Sequence, residues 1–138
     1  MKYVDASALL RVLFLEPGPT VPLVAGDRVV SSQLIEVETF RAVDRVRLAG
    51  NLDDRQTAVK RKELTTLLAM LDLMTIDRSV IERAKGSFAV NLRALDALHV
   101  ATAEVLTAEI SGDQLEFWTH DDRQATAALS RGLTVRGV

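Results

Sequence analysis

Asn91-Leu92-Arg93-Ala94-Leu95-Asp96-Ala97-Leu98-His99-Val100-Ala101-Thr102-Ala103 is the stretch on which the reading of this chain turns. Leu92, Leu95, His99, Val100 and Ala103 recur at helical spacing, and Leu98 and Ala101 fill much of the remaining circumference. A helix apolar nearly all round belongs in the middle of a domain. Asp96 stands on the stripe of Leu92, Leu95 and Val100. A carboxylate ionised alone in such a place is strongly unfavourable, or its pKa shifts. Arg93 projects to another side, so the helix itself offers no cation. Asp96 is therefore expected to meet an Arg, backbone donors or a metal ion brought by another segment.

The bulk composition narrows the choices. At 138 residues, 48% hydrophobic and 26% charged, the chain is expected to form one globular domain spanning 1–138. Without cysteine there is no disulfide framework, thiolate metal site or Cys nucleophile. No apolar run approaches the ~18 residues of a membrane span, and the N-terminus lacks a signal-peptide pattern, so no membrane contact and a cytoplasmic location are expected. A net charge of −2 does not advertise nucleic-acid binding. A polyanion would need a local basic patch or bound cations. The sequence has no internal repeat, low-complexity segment or linker.

Outward from the opening stretch, short β-prone runs alternate with helical patterns. Lys2-Tyr3-Val4 reads as a strand, and Asp5 turns the chain into a helix carrying Leu9, Leu10, Val12, Leu13 and Phe14. Thr20–Gly26 reads as a short helix and Arg28–Ser31 as a second strand. A long helix from Ser31 or Ser32 to Ala49 places Leu34, Ile35, Val37, Ala42, Val46, Leu48 and Ala49 on one arc. Glu38 falls inside that arc, whereas Glu36 points away. Asp53–Asp72 is a second long helix with Val59, Leu64, Leu67, Leu68 and Leu71 on its apolar side; Leu73–Ile76 is a third strand. Asp77 caps a helix ending near Gly86, and Asn91–Leu106 is the opening helix. Ile110–Gln114 is turn-like, Leu115–Thr119 a fourth strand, Arg123–Ser130 a helix, and Leu133-Thr134-Val135 an edge strand.

Strand–helix alternation implies a mainly parallel sheet of four to five short strands, covered on both faces: an α/β/α sandwich. The carboxyl ends of such strands share one rim, where ligands bind. Asp5 and Asp121 lie just past strand ends and can converge there; Asp96 and Glu38 lie on buried helical faces that can point to the same place. Each has a plainer explanation. Asp5 and either Asp121 or Asp122 can simply be N-caps, and Glu38 can pair with Arg41 or Arg45. Four such coincidences are harder to accept, and clustered carboxylates repel one another. A hard divalent cation resolves the repulsion, and oxygen-only ligands suit Mg²⁺ or Mn²⁺. Such a site is suited to phosphodiester hydrolysis.

Val4-Asp5-Ala6-Ser7-Ala8-Leu9, Ser32 to Glu38 with Arg41-Ala42, Ala94–Ala103, and Thr119-His120-Asp121 leading to Gly132-Leu133 occur in that order. Together they make the chain resemble, over essentially its whole length, the PIN-domain family and its VapC-type toxins of toxin–antitoxin pairs. The resemblance implies a PIN-like fold and metal-dependent endoribonuclease activity on RNA. It implies Asp5, Glu38, Asp96 and Asp121 as the acidic quartet, with Asp5 and Asp96 the principal metal ligands for Mg²⁺ or Mn²⁺. Glu38 and Asp121 would complete the shell and orient the attacking water. Ser7 and Thr119 would support the site by hydrogen bonds. A homodimer and a cognate VapB-type antitoxin are implied as partners.

Other residues take plainer roles. His99 is read as a hydrogen-bonded core residue and is not assigned to the chemistry; nothing requires His120 either. Tyr3, Phe117 and Trp118 read as strand core. Arg55, Lys60, Arg61 and Lys62 read as a solvated face. The alternative function is a non-catalytic PIN-like module that binds RNA or protein. A receiver domain would want paired acids at the first strand, and a dehalogenase-type phosphatase would want Asp-x-Asp where Asp5-Ala6-Ser7 stands.

Overall fold

The computed structural model describes residues 1–110 and 114–138. They form a five-stranded sheet from β1 (Lys2–Val4), β2 (Val29–Ser32), β3 (Asp72–Met74), β4 (Glu116–Trp118) and β5 (Thr134–Arg136), in the order β3-β2-β1-β4-β5. All four pairings are parallel, and Tyr3 lies opposite Val30 on one side and Phe117 on the other. Parallel neighbours need crossovers. These are supplied by α1 (Ala6–Phe14), α2 (Leu34–Leu48), α3 (Asp54–Leu68), α4 (Arg78–Ala84), α5 (Ala94–Glu109) and α6 (Asp122–Ser130).

Successive strand residues face opposite sides of the sheet, so the core divides in two. Val4 and Val29 pack with Leu9, Leu13, Ile35, Val43 and Leu64 beneath α1, α2 and α3. Tyr3 and Val30 pack with Val100, Ala103, Leu106, Phe117 and Ala128 beneath α5 and α6. The result is the three-layer α/β/α sandwich expected from the alternation of elements, with β5 at an edge. Among the described residues no helix is long and apolar enough to cross a membrane.

Several local expectations are corrected. Thr20–Gly26 is not helical: Pro22 cannot donate an interior hydrogen bond, and its carbonyl accepts from Lys2 Nζ at 2.8 Å instead. α3 stops at Leu68, and β3 starts at Asp72 rather than Leu73. Leu71 N–H bonds back to Leu68 O, which makes the connection a turn. α2 buries Ile35, Thr39, Ala42 and Val43, while Val37 and Leu48, projected onto its apolar arc, are 61% and 70% exposed. Thr39 takes an inward place because its hydroxyl donates to Ile35 O at 2.6 Å. Val59 on α3 and Leu95 on α5 are likewise exposed. α5 begins at Ala94, three residues after Asn91, because Arg93 is still extended. The turn expected over Ile110–Gln114 falls largely on 111–113, outside the described residues.

Candidate active site

The strand order reverses at β1. The chain steps from β1 to β2 and β3 on one side, then returns to β4 and β5 on the other. In open parallel sheets ligands bind beyond the strand ends at such a point. Asp5 N–H donates to Trp118 O at 3.1 Å, which carries the ladder one residue past β1 and holds Asp5 at the mouth. Its carboxylate is nearly buried. Oδ1 accepts Ala8 N–H at 2.8 Å, Ser7 Oγ lies 2.8 and 2.9 Å from the two oxygens, and Thr119 Oγ1 lies 2.8 Å from Oδ2. Asp5 therefore caps α1 and faces the cleft; an ionised carboxylate has enough lone pairs for both.

A cleft of about 740 Å³ opens here, and Asp5, Glu38, Asp96 and Asp121 all line it, with Ser7 beside them. Thr119 stands fully buried behind Asp5. Asp121 N-caps α6 by accepting Gln124 N–H at 2.9 Å, and its own N–H donates to Thr119 Oγ1 at 3.1 Å. Asp122 is exposed and does not line the cleft, so geometry favours Asp121 of the two.

Expectations about two of the acids change. Asp96 is not in mid-helix but in the first turn of α5, where the helix dipole favours a carboxylate. Nor is it without a partner on its own segment: Arg93 Nε lies 3.3 Å from Oδ2, because the late helix start brings Arg93 alongside. That arginine is 85% exposed, and a pair so open to water is weak. Glu38 does not use Arg41 or Arg45. Its Oε2 lies 2.6 Å from Nε2 of His99, which is 1% exposed.

His99 is the hydrogen-bonded core residue expected, but it also lines the cleft and touches one of its acids. Tyr3 Oη accepts Ser32 N–H at 3.1 Å and lies 2.9 Å from His99 Nδ1. If the Tyr3 hydroxyl donates to Nδ1, the neutral ring carries its proton on Nε2 and donates to Glu38. Burial pushes the Tyr3 phenol far above its usual range, so it stays protonated. Gln124, by contrast, is a residue that the sequence reading missed. It is buried, lines the cleft, and connects Thr119 Oγ1 at 2.8 Å with the Asp96 carbonyl at 3.4 Å. Its place three residues after an Asp N-cap is the signal that was available; the spacing suggests a local cap, whereas its side chain turns inward.

The electrostatics of Asp5 follow from its surroundings. Burial raises its carboxyl above the ordinary range; His99, Ala8 N–H, Thr119 and Ser7 pull it back without cancelling the burial. With Asp5 ionised, the single Thr119 proton faces two acceptors, Asp5 Oδ2 and Gln124 Oε1. A proton on Asp5 would let it donate to Thr119 and Thr119 to Gln124. Turning the Gln124 amide over would instead set its oxygen against the Asp96 carbonyl at 3.4 Å.

Among the described residues no three acidic or histidine side chains are gathered into a ready-made cage for an ion. The donor set still fits a hard divalent cation. It is all oxygen, it includes a carboxylate whose buried charge lacks a Lys or Arg partner, and Mg²⁺ ordinarily binds through one or two carboxylates while keeping several waters. Asp5 and Asp96 could hold such an ion, with Glu38 and Asp121 acting through water.

Comparison with known proteins gives concordant results. The PIN domain family matches residues 2–129. Ribonuclease VapC46 of Mycobacterium tuberculosis is 34% identical over 136 residues, covering 96% of this chain and 94% of that protein. Ribonuclease VapC47 of the same species is 35% identical over 130 residues, covering 89% and 86%. A chain from a toxin–antitoxin complex of Klebsiella pneumoniae superposes with a TM-score of 0.53 at 15% identity, over 90% of this chain and 89% of that one. At that identity the likeness speaks for the fold alone.

Proposed function

The chain belongs to the PIN-domain family, in its VapC type, and from that membership we propose that it is a divalent-metal-dependent endoribonuclease, the toxin of a toxin–antitoxin pair. One observation carries the reading: four carboxylates from four separate segments, Asp5, Glu38, Asp96 and Asp121, line one cleft beyond the central strand ends. Mg²⁺ or Mn²⁺, when bound, would supply Lewis-acid charge at a scissile phosphate and acidify an attacking water. The chain's own residues do the rest. Asp5 is held rigidly by Ser7, Ala8 N–H and Thr119, so its oxygens keep one direction. Glu38, braced by His99, orients the attacking water, and Asp121 works from the N-terminus of α6. A VapB-type antitoxin and a second copy of the chain are the partners that VapC membership suggests, the antitoxin acting by covering the cleft. The cytoplasm is the compartment in which such a toxin meets RNA.

The test is RNA cleavage by the purified protein with Mn²⁺ or Mg²⁺, with excess chelator, and with Asp96→Asn. Cleavage should need the metal, and the folded variant should have none. Undiminished cleavage in chelator, or by the variant, would remove the assignment. RNA retained without any product under all conditions would favour the non-catalytic binding module.

A further inference from the structure

The cleft that holds the four acids also holds three arginines, Arg41, Arg45 and Arg93. Some helix charges neutralise one another: on α2 Arg47 pairs with Asp44 at 3.0 Å, and on α4 Arg78 pairs with Glu82. Arg41 and Arg45 behave differently. Helical spacing offers Arg41 two acids: Asp44, one turn later, which Arg47 takes, and Glu38, one turn earlier. Its carboxylate is taken by His99 at 2.6 Å instead. Among the described residues neither guanidinium forms an ion pair, and both are exposed. Standing four residues apart, they present one face of α2, about 6 Å apart along its axis.

We propose that Arg41 and Arg45 form a phosphate-binding rail that holds the backbone of single-stranded RNA beside the phosphate at the acids, with Arg93 contributing from the start of α5. The inference rests on the ribonuclease reading and adds to it the residues that grip the substrate. A net charge of −2 gives the whole molecule no field with which to draw in a polyanion, so local cations must do so. A guanidinium is the side chain best shaped to take a phosphate through two hydrogen bonds. A strand with one phosphate at the acids presents its neighbouring phosphates to the same cleft, where Arg41 and Arg45 are the cations free of an ion pair among the described residues, and Arg93 holds only an exposed pair with Asp96. The Tyr3–His99 strut has a second consequence here: by holding Glu38, it keeps Arg41 free for substrate.

The experiment measures binding of a fluorescent oligoribonucleotide of fixed sequence to full-length protein carrying Asp96→Asn, across a series of KCl concentrations. On single strands each phosphate contact adds about 0.7 to the slope of log affinity against log salt. Arg41→Gln with Arg45→Gln should lower the slope by about 1.4 and weaken binding at low salt. Arg41→Lys with Arg45→Lys should retain the slope, and Arg55→Gln, on α3 outside the cleft, should match the parent. Unchanged melting of each variant establishes that it is folded. An unchanged slope in the double Gln variant overturns the rail while leaving the ribonuclease reading intact; absence of RNA binding by the parent at every salt concentration overturns both. If the double Gln variant keeps its RNA affinity but loses that for a Glu-rich peptide, the arginines serve a protein partner and the rail is again overturned.

Discussion

Tyr3 joins the core and the cleft through a single atom. Its ring stacks on Phe117 with centroids 5.3 Å apart, as a strand aromatic should, while its hydroxyl reaches Ser32 N–H and His99 Nδ1. Tyr3→Phe keeps the ring and deletes only that hydroxyl, leaving a buried N–H and a ring nitrogen unsatisfied. Urea denaturation should show a loss of about 1–3 kcal/mol, with lower cleavage as Glu38 loses its brace. A change within a few tenths of a kcal/mol would mean that this network contributes little. The aromatic core role of Tyr3 was legible in the sequence. Its polar role was not, because nothing along the chain relates residue 3 to residue 99.

At the level of elements, the acids are placed by where strands stop and helices start. Asp5, Asp77 and Asp121 were all recognisable as N-caps, and each accepts the N–H three residues on. The sequence reading set cap and cleft against each other as alternatives for Asp5 and Asp121, whereas both acids cap their helices and line the cleft as well. The β4–α6 junction adds a constraint of its own. Thr119 N–H donates to Arg136 O at 3.1 Å, and a Cβ on Gly137, whose φ is +97°, would stand 2.7 Å from Thr119 O. Gly137→Ala should therefore destabilise by about 1–2 kcal/mol or more from backbone strain, and displace Thr119 from Asp5. Asp53→Ala removes the capping box of α3, away from the cleft, and should lose about 1 kcal/mol while leaving cleavage per folded molecule unchanged. Thermal melts and cleavage rates on both variants separate the cases: if Gly137→Ala kept full activity, the junction would not govern the site.

Across the whole molecule, the unpaired charge of the cleft should tie stability to pH and, on the proposed reading, to divalent metal. The Asp5 carboxyl is raised by burial in the folded chain. The folded state thus holds its proton to higher pH than the unfolded state, so the stabilisation is complete below the unfolded pKa of about 3.9 and is lost as pH rises through the folded value. In chelator, Asp5→Asn should be more stable than the parent near neutral pH, and the difference should shrink toward acid. Divalent metal should reverse the order, since a ligand bound only by the folded parent stabilises it by about 2.7 kcal/mol at a hundredfold excess over its dissociation constant. Urea melts at several pH values, with and without Mn²⁺, check this. Identical pH profiles for the two proteins, or no upward shift of the parent by metal, would contradict it.

The amino-acid sequence by itself determined the layer architecture and the places where most elements begin, and it singled out the four acids that line one cleft. Hydrophobic period, caps and strand-end position are local properties that each segment carries alone. Only the tertiary structure decided which partner each acid has: Arg93 for Asp96, His99 for Glu38, and Thr119 with Gln124 around Asp5. The reason is physical. Pairing depends on where a helix starts, to within a residue or two, and on which buried side chain must satisfy its hydrogen bonds across the sheet. Asp96, read first as a solitary carboxylate inside a helix, stands at the helix start on the wall of a cleft lined by three further acids and by Arg41, Arg45 and Arg93.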